Sequence, residues 1–125
     1  MLNHITIMGR MVRDPEQRRT QSGKAVTSFT LAVDRDFAKG EADFIDCVAW
    51  NNTAEFVSNY FSKGRMAVVS GRLQMRNWED KNGSKRTSAE VVAENVYFGD
   101  SKKEAAAEKS IDFDFAAEDD EDFPF

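Results

Sequence analysis

Hydrophobic and polar residues alternate along most of the first hundred positions, and only one stretch departs from that rhythm toward the spacing of a helix face. Leu2 to Met8 is expected as a strand, with Ile5 and Ile7 on one face. Gly9-Arg10 is expected to bend it, since Gly inside a strand pattern often marks a bulge. Asp14-Pro15 through Ser22-Gly23 reads as a polar loop. Ala25 to Asp34 is a second strand, with Phe29, Leu31 and Val33 at period two. Phe37 to Ala42 is a short connection containing Gly40, and Asp43 to Trp50 is a third strand.

The period then changes. Asn52 is the expected N-cap of a helix, with Glu55 three residues later completing a capping box. Phe56, Val57, Tyr60 and Phe61 form its apolar face, and Lys63-Gly64 closes it, Gly64 serving as the C′ residue. Arg65 to Glu79 is a long strand, Asp80-Lys81-Asn82-Gly83 a hairpin turn of the Asn-Gly type, and Lys85 to Phe98 the returning strand. Three strands, one helix and two strands are the order of an all-β OB-fold, a five-stranded Greek-key barrel with its helix between strands three and four. Barrel closure would also protect the strand edges.

Composition changes after residue 100, and the expected organisation is a domain at 1–100, a short linker at 101–117 and an acidic tip at 118–125. Ser101 to Lys109 is Ala- and Glu-rich, either nascent helix or a spacer. Ile111-Asp112-Phe113-Asp114-Phe115 is either a weak strand or a second docking segment. The chain ends on five consecutive acids, Glu118 to Asp122, followed by Phe123-Pro124-Phe125. So much like charge cannot build a core, and Pro124 blocks regular structure. One reading is a solubilising tail. The other is a peptide held by a partner, with a basic pocket for Asp120, Glu121 and Asp122 and an apolar slot for Phe123, Pro124 and Phe125. A tail that only solubilises has no use for terminal aromatics.

The net charge of −5 argues against a nucleic-acid partner until the chain is divided. Residues 1–100 carry 14 Lys/Arg against 13 Asp/Glu, and residues 101–125 carry 3 against 9. The body is close to neutral, so any such surface has to be a local basic patch. No apolar run is long enough for a membrane span, and the N-terminus shows no signal-peptide pattern. Cys47 is alone, so no internal disulfide is expected, which suits a reducing cytoplasm. One Cys and one His, His4, cannot form a Cys/His zinc set or a local nucleophilic pair. Asp34, Asp36 and Asp46, with Arg35 and Lys39 nearby, read as solvated charges. With no Gly-rich phosphate loop either, neither a metal, a cofactor nor a catalytic site is expected.

The candidate chemistry is binding. On the third strand Phe44, Asp46, Val48 and Trp50 share one face, and Ile45, Cys47 and Ala49 share the other. The compact set suits a barrel interior, which turns the two aromatics outward unless the parity is reversed or a subunit covers them. On the fourth strand Arg72, Gln74, Arg76 and Trp78 share a face opposite Leu73 and Met75. Two arginines will not face a barrel core, so Trp78 lies on the solvent side beside Arg76. Guanidinium groups meet phosphates and flat rings stack on bases whatever the sequence, which suits single-stranded nucleic acid. Duplex DNA hides its base faces.

These residues resemble the bacterial-type single-stranded DNA-binding protein (SSB) family. The likeness runs through Asn3 to Gly9, Asp14-Pro15-Glu16, Thr30-Leu31-Ala32, Tyr60 to Lys63-Gly64, Gly71-Arg72-Leu73 to Trp78, and the acidic tail with Pro124-Phe125. It implies a homotetrameric OB-fold, cytoplasmic and nucleoid-associated, that wraps single-stranded DNA during replication, recombination and repair. By position, Phe37, Phe44, Trp50 and Trp78 look like the stacking aromatics, although the family often has Trp for the first two and Phe for Trp50. Arg18, Lys63, Arg76 and Arg86 fall at its basic DNA contacts, and Asp120 to Phe125 at the tip that recruits partner enzymes. Phe123 replaces a usual aliphatic residue, and the linker is much shorter than in many members. The rival readings are a protein-binding OB adaptor, an RNA-binding OB-fold of translation and an OB-fold nuclease. The nuclease lacks a constellation of general base, arginines and metal ligands.

Overall fold

The computed structural model describes residues 1–100, and the linker and tip expected at 101–125 lie outside the described residues. The elements are β1 (Ile5–Met11), β2 (Glu16–Arg19), β3 (Ala25–Asp34), β4 (Ala42–Trp50), α1 (Asn51–Tyr60), β5 (Met66–Glu79) and β6 (Lys85–Phe98). The sheet runs β1-β5-β6-β4-β3-β2, and an additional β1–β3 pairing at Arg10↔Ala32 and Met11↔Leu31 closes it into a barrel. All neighbours are antiparallel except β4 and β6, which pair in parallel over Cys47–Ala49 and Val91–Ala93. The five-stranded barrel expected from the element order is present, with β2 added outside β3.

Several local expectations are corrected. The first strand begins at Ile5 and continues through Gly9-Arg10 in unbroken register with β5. Gly9 is there for close approach, because a Cβ at that position would lie 2.6 Å from the Ala32 carbonyl oxygen. The register shift falls instead in β5, between Ser70 and Gly71. The polar loop after Asp14 contains β2, an edge strand whose four residues are all exposed, so no alternation betrays it. The turn after β5 does have Asn82-Gly83 at its end. It is a three-residue loop rather than a two-residue turn, with Asp80 N–H donating to Ser84 O and Gly83 (φ 83°) to Asp80 O.

The helix starts two residues earlier than expected. Trp50 occupies the N-cap without a side-chain cap, so Asn52 and Glu55 form no capping box. The helix ends at Tyr60 with Phe61 as C-cap, and Gly64 lies further on, donating its N–H to Met11 O. Ala54, Val57 and Phe61 are the residues it buries, while Tyr60 stays exposed. Thr27, fully buried, donates its hydroxyl to Ala54 O at 2.8 Å and so pins the helix against β3.

The core gathers inward-facing residues from every barrel strand, among them Met11, Phe29, Leu31, Cys47, Ala49, Val69, Val91 and Val96. Each large apolar side chain taken fully out of water here contributes about 1.5–3 kcal/mol. Phe61 and Phe98 stack at 4.9 Å at one end of the barrel. Arg65 lies over the Phe98 ring and pairs with Asp100 at 3.2 Å. Beyond Gly71 the β5–β6 hairpin leaves this core as an arm. Leu73 and Met75, placed by parity on the barrel side, are 42% and 56% exposed there.

Candidate nucleic-acid interface

The outward face of β4 forms the floor of the site. Val48 shares the parity of Phe44 and Trp50 but is buried, against Val26 from β3 and Val92 from β6. This small apolar cluster lies on the outside of the barrel, between the two outward aromatics. Trp50 ends the strand in extended geometry (φ −122°, ψ 154°), and the next residue, Asn51, takes φ 54°. Asn tolerates that left-handed conformation better than most side chains. The chain thus turns from strand to helix within one residue, leaving the indole 41% exposed.

Above this floor lies a groove of about 640 Å³ between the β2–β3 edge and the β5–β6 arm. It brings together three of the residues expected from sequence: Arg18, Trp50 and Arg76. Arg18 donates to Ser28 Oγ at 3.0 Å. Trp78 stands two residues beyond Arg76 on the same face, its Nε1–H donating to Ser88 Oγ at 2.8 Å. That bond fixes the indole edge while the ring stays 41% exposed.

The remaining expected residues lie outside the groove lining. Phe44 continues the outward parity of β4 at 68% exposure, and Phe37 is fully exposed in the β3–β4 connection. Arg72 is exposed on the arm and donates to Gln74 Oε1 at 3.1 Å. Arg86 is held by Asp80, Nε to Oδ2 at 2.9 Å. Lys63 is exposed, its backbone N–H donating to Asp14 Oδ1 at the groove rim.

Sequence reasoning set Gln74 on this face without a role and missed Arg13 and Glu90, and all three line the groove. Arg13 donates to Thr30 Oγ1, and that hydroxyl donates to Asp46 Oδ1. Glu90 accepts from Gln74 Nε2 at 3.2 Å and faces Arg76 Nε at 3.8 Å. The register that sets Glu90 opposite Gln74 depends on the three-residue loop, since a two-residue Asn82-Gly83 turn would have set Val91 there instead. Cys47 lies below. Burial, then the carboxylates of Asp46 and Glu90, push its thiol up to about 12, so it remains a protonated core residue. Among the described residues no group of three or more His, Cys, Asp or Glu is placed to hold a metal.

Over residues 2–99 the chain matches a known family model, described as the single-strand binding protein family. The chain belongs to that family. It is a family of non-enzymatic DNA-binding proteins, and the barrel is its OB-fold. "Single-stranded DNA-binding protein 3" of Listeria innocua is 47% identical over 110 residues, 85% of this chain and 69% of that protein. "Single-stranded DNA-binding protein A" of Bacillus subtilis is 49% identical over 102 residues, 78% of this chain and 59% of that protein. "Single-stranded DNA-binding protein 1" of Staphylococcus aureus is 50% identical over 102 residues, 78% of this chain and 61% of that protein. Aligned with this chain, the three relatives are thus covered over 59% to 69% of their length. No helix among the described residues is long and apolar enough to cross a membrane.

Proposed function

We propose that this chain binds single-stranded DNA without regard to sequence, shielding it in the cytoplasm during replication, recombination and repair. The observation that carries the reading is the juxtaposition of exposed Trp50 and Trp78 with Arg76 on one outward face. Rings stack on any base, and guanidinium groups meet any phosphate. Arg18, Arg72, Arg86 and Lys63 extend the positive charge, Phe44 extends the stacking surface along β4, and Phe37 adds to it from the β3–β4 connection. Exposure of Leu73 and Met75 supports self-association, with a homotetramer as the expected assembly. In this reading the acidic tip, Asp120 to Phe125, recruits partner enzymes, and no cofactor takes part.

The test is quenching of tryptophan fluorescence by oligo(dT) at low and high salt, with duplex DNA and oligo(U) as controls. Strong quenching by oligo(dT) alone, with affinity that falls as salt rises, is expected. Absence of both quenching and binding would reject the single-strand reading in favour of a protein-binding adaptor. Preference for oligo(U) would move the function to RNA.

A further inference from the structure

We propose that Glu90 is an internal competitor for DNA phosphate at Arg76, a residue that tempers strand binding by holding the arginine when no strand is present. The inference rests on the single-strand reading above and concerns how strongly that site binds.

The hairpin register sets Glu90 opposite Gln74 and Arg76 opposite Ser88, so Glu90 and Arg76 are diagonal neighbours on the outward face. A polar chain runs along that face. Arg72 donates to Gln74, Gln74 donates to Glu90, and Glu90 faces Arg76. The Glu90 side chain is only 18% exposed, whereas Arg76 is 58% exposed. The carboxylate is therefore a sheltered, fixed charge, and the guanidinium leans out toward the groove. At 3.8 Å the pair attracts, yet it is too long for a good hydrogen bond. A phosphate oxygen at normal hydrogen-bond distance can replace it.

The charge of the groove points the same way. Its lining holds Arg13, Arg18 and Arg76 against Asp14, Glu16, Asp46 and Glu90. Of these four carboxylates, Glu90 is the one in an ion pair with a groove arginine among the described residues. A strand entering the groove meets one arginine, Arg76, that is already compensated. The salt dependence of binding should then be shallower than the number of arginines implies, since a compensated arginine neutralises less phosphate charge.

The experiment compares the unaltered full-length protein with Glu90→Gln, Glu90→Ala, Arg76→Ala and the Arg76→Ala/Glu90→Gln double variant. Each is titrated with an oligo(dT) of about ten nucleotides, within the span of one barrel, over a salt series. At about 50 mM salt, Glu90→Gln should bind roughly three- to tenfold tighter, with a log–log salt slope steeper by about 0.7 for each site. The gain should shrink as salt rises and should largely vanish in the Arg76→Ala background. Glu90→Ala should also bind tighter, so the result does not depend on one variant folding. Unchanged or weaker binding by both Glu90 variants, beside normal binding by the unaltered protein, would overturn the competitor role alone. Weaker binding would make Glu90 a positioning residue for Arg76. A gain that survives intact without Arg76 would also overturn it, and no binding by the unaltered protein would sink the single-strand reading as well.

Discussion

The β5–β6 hairpin has two halves, divided at Gly71, that share one antiparallel ladder but live in different surroundings. In the barrel half, Ala67 and Val69 of β5 and Val96 of β6 are buried. In the arm, Arg72 and the residues from Met75 to Glu79 are all exposed, on both faces of the strand. Alternation continues across the boundary, and Leu73 and Met75 keep the inward parity while lying open to solvent. Alternation therefore reports the direction of a side chain, and only tertiary structure reports whether anything covers it.

The boundary itself is the place to break the comparison most severely. A Cβ added at Gly71 would sit 1.9 Å from the Val92 carbonyl oxygen, at the register shift that separates the halves. Gly71→Val is expected to cost about 3 kcal/mol or more in urea denaturation, since backbone on both sides must move. A variant as stable as the parent would show that the arm is not anchored there. Next in size, Trp78→Ala and Trp50→Ala should each weaken oligo(dT) binding by about 1–3 kcal/mol while changing stability by less than about 1 kcal/mol. If Trp78→Ala instead unfolds the protein, the arm belongs energetically to the barrel. The smallest effect concerns the tip of the arm. The Arg86 guanidinium, then the backbone N–H groups of Ser84 and Asn82, hold the Asp80 carboxyl below its usual value of 3.8. A lowered folded-state value means this support is complete above the unfolded value and is lost as pH falls through the folded one. Between about pH 5 and about pH 2.5 the amides of Asn82 and Ser84 should exchange progressively faster relative to those of the barrel. Equal protection at both ends of that range would remove Asp80 from the account.

The order of the elements other than β2, the single helix and the place of the turn at Asn82-Gly83 were legible because each rests on local periodicity or turn chemistry. Trp50, Arg76 and Trp78 were legible by parity, since arginines exclude themselves from a core. β2 was hidden because an edge strand exposed on both faces carries no period. The capping pattern at Asn52 and Glu55 misled because Asn51 lets the strand pass directly into the helix, so no side-chain cap forms. The burial of Val48 was not legible, for a non-local reason. Its cover includes Val92, brought alongside by the parallel β4–β6 pairing, which no neighbouring residue in the sequence announces.

That parallel pairing has a consequence for how the chain comes together. Cys47 to Ala49 pair with Thr27 to Phe29 on one edge, but on the other edge their partners are Val91 to Ala93, on the far side of the helix and the whole of β5. During synthesis the first sixty residues can pair β1, β2, β3 and β4 but leave one edge of β4 open, with Phe44 and Trp50 beside it. Contacts so distant in sequence form late, and an open strand edge is an invitation to other chains. Two of the proposed stacking residues, Phe44 and Trp50, are therefore in place, unguarded, before the barrel that supports them can close.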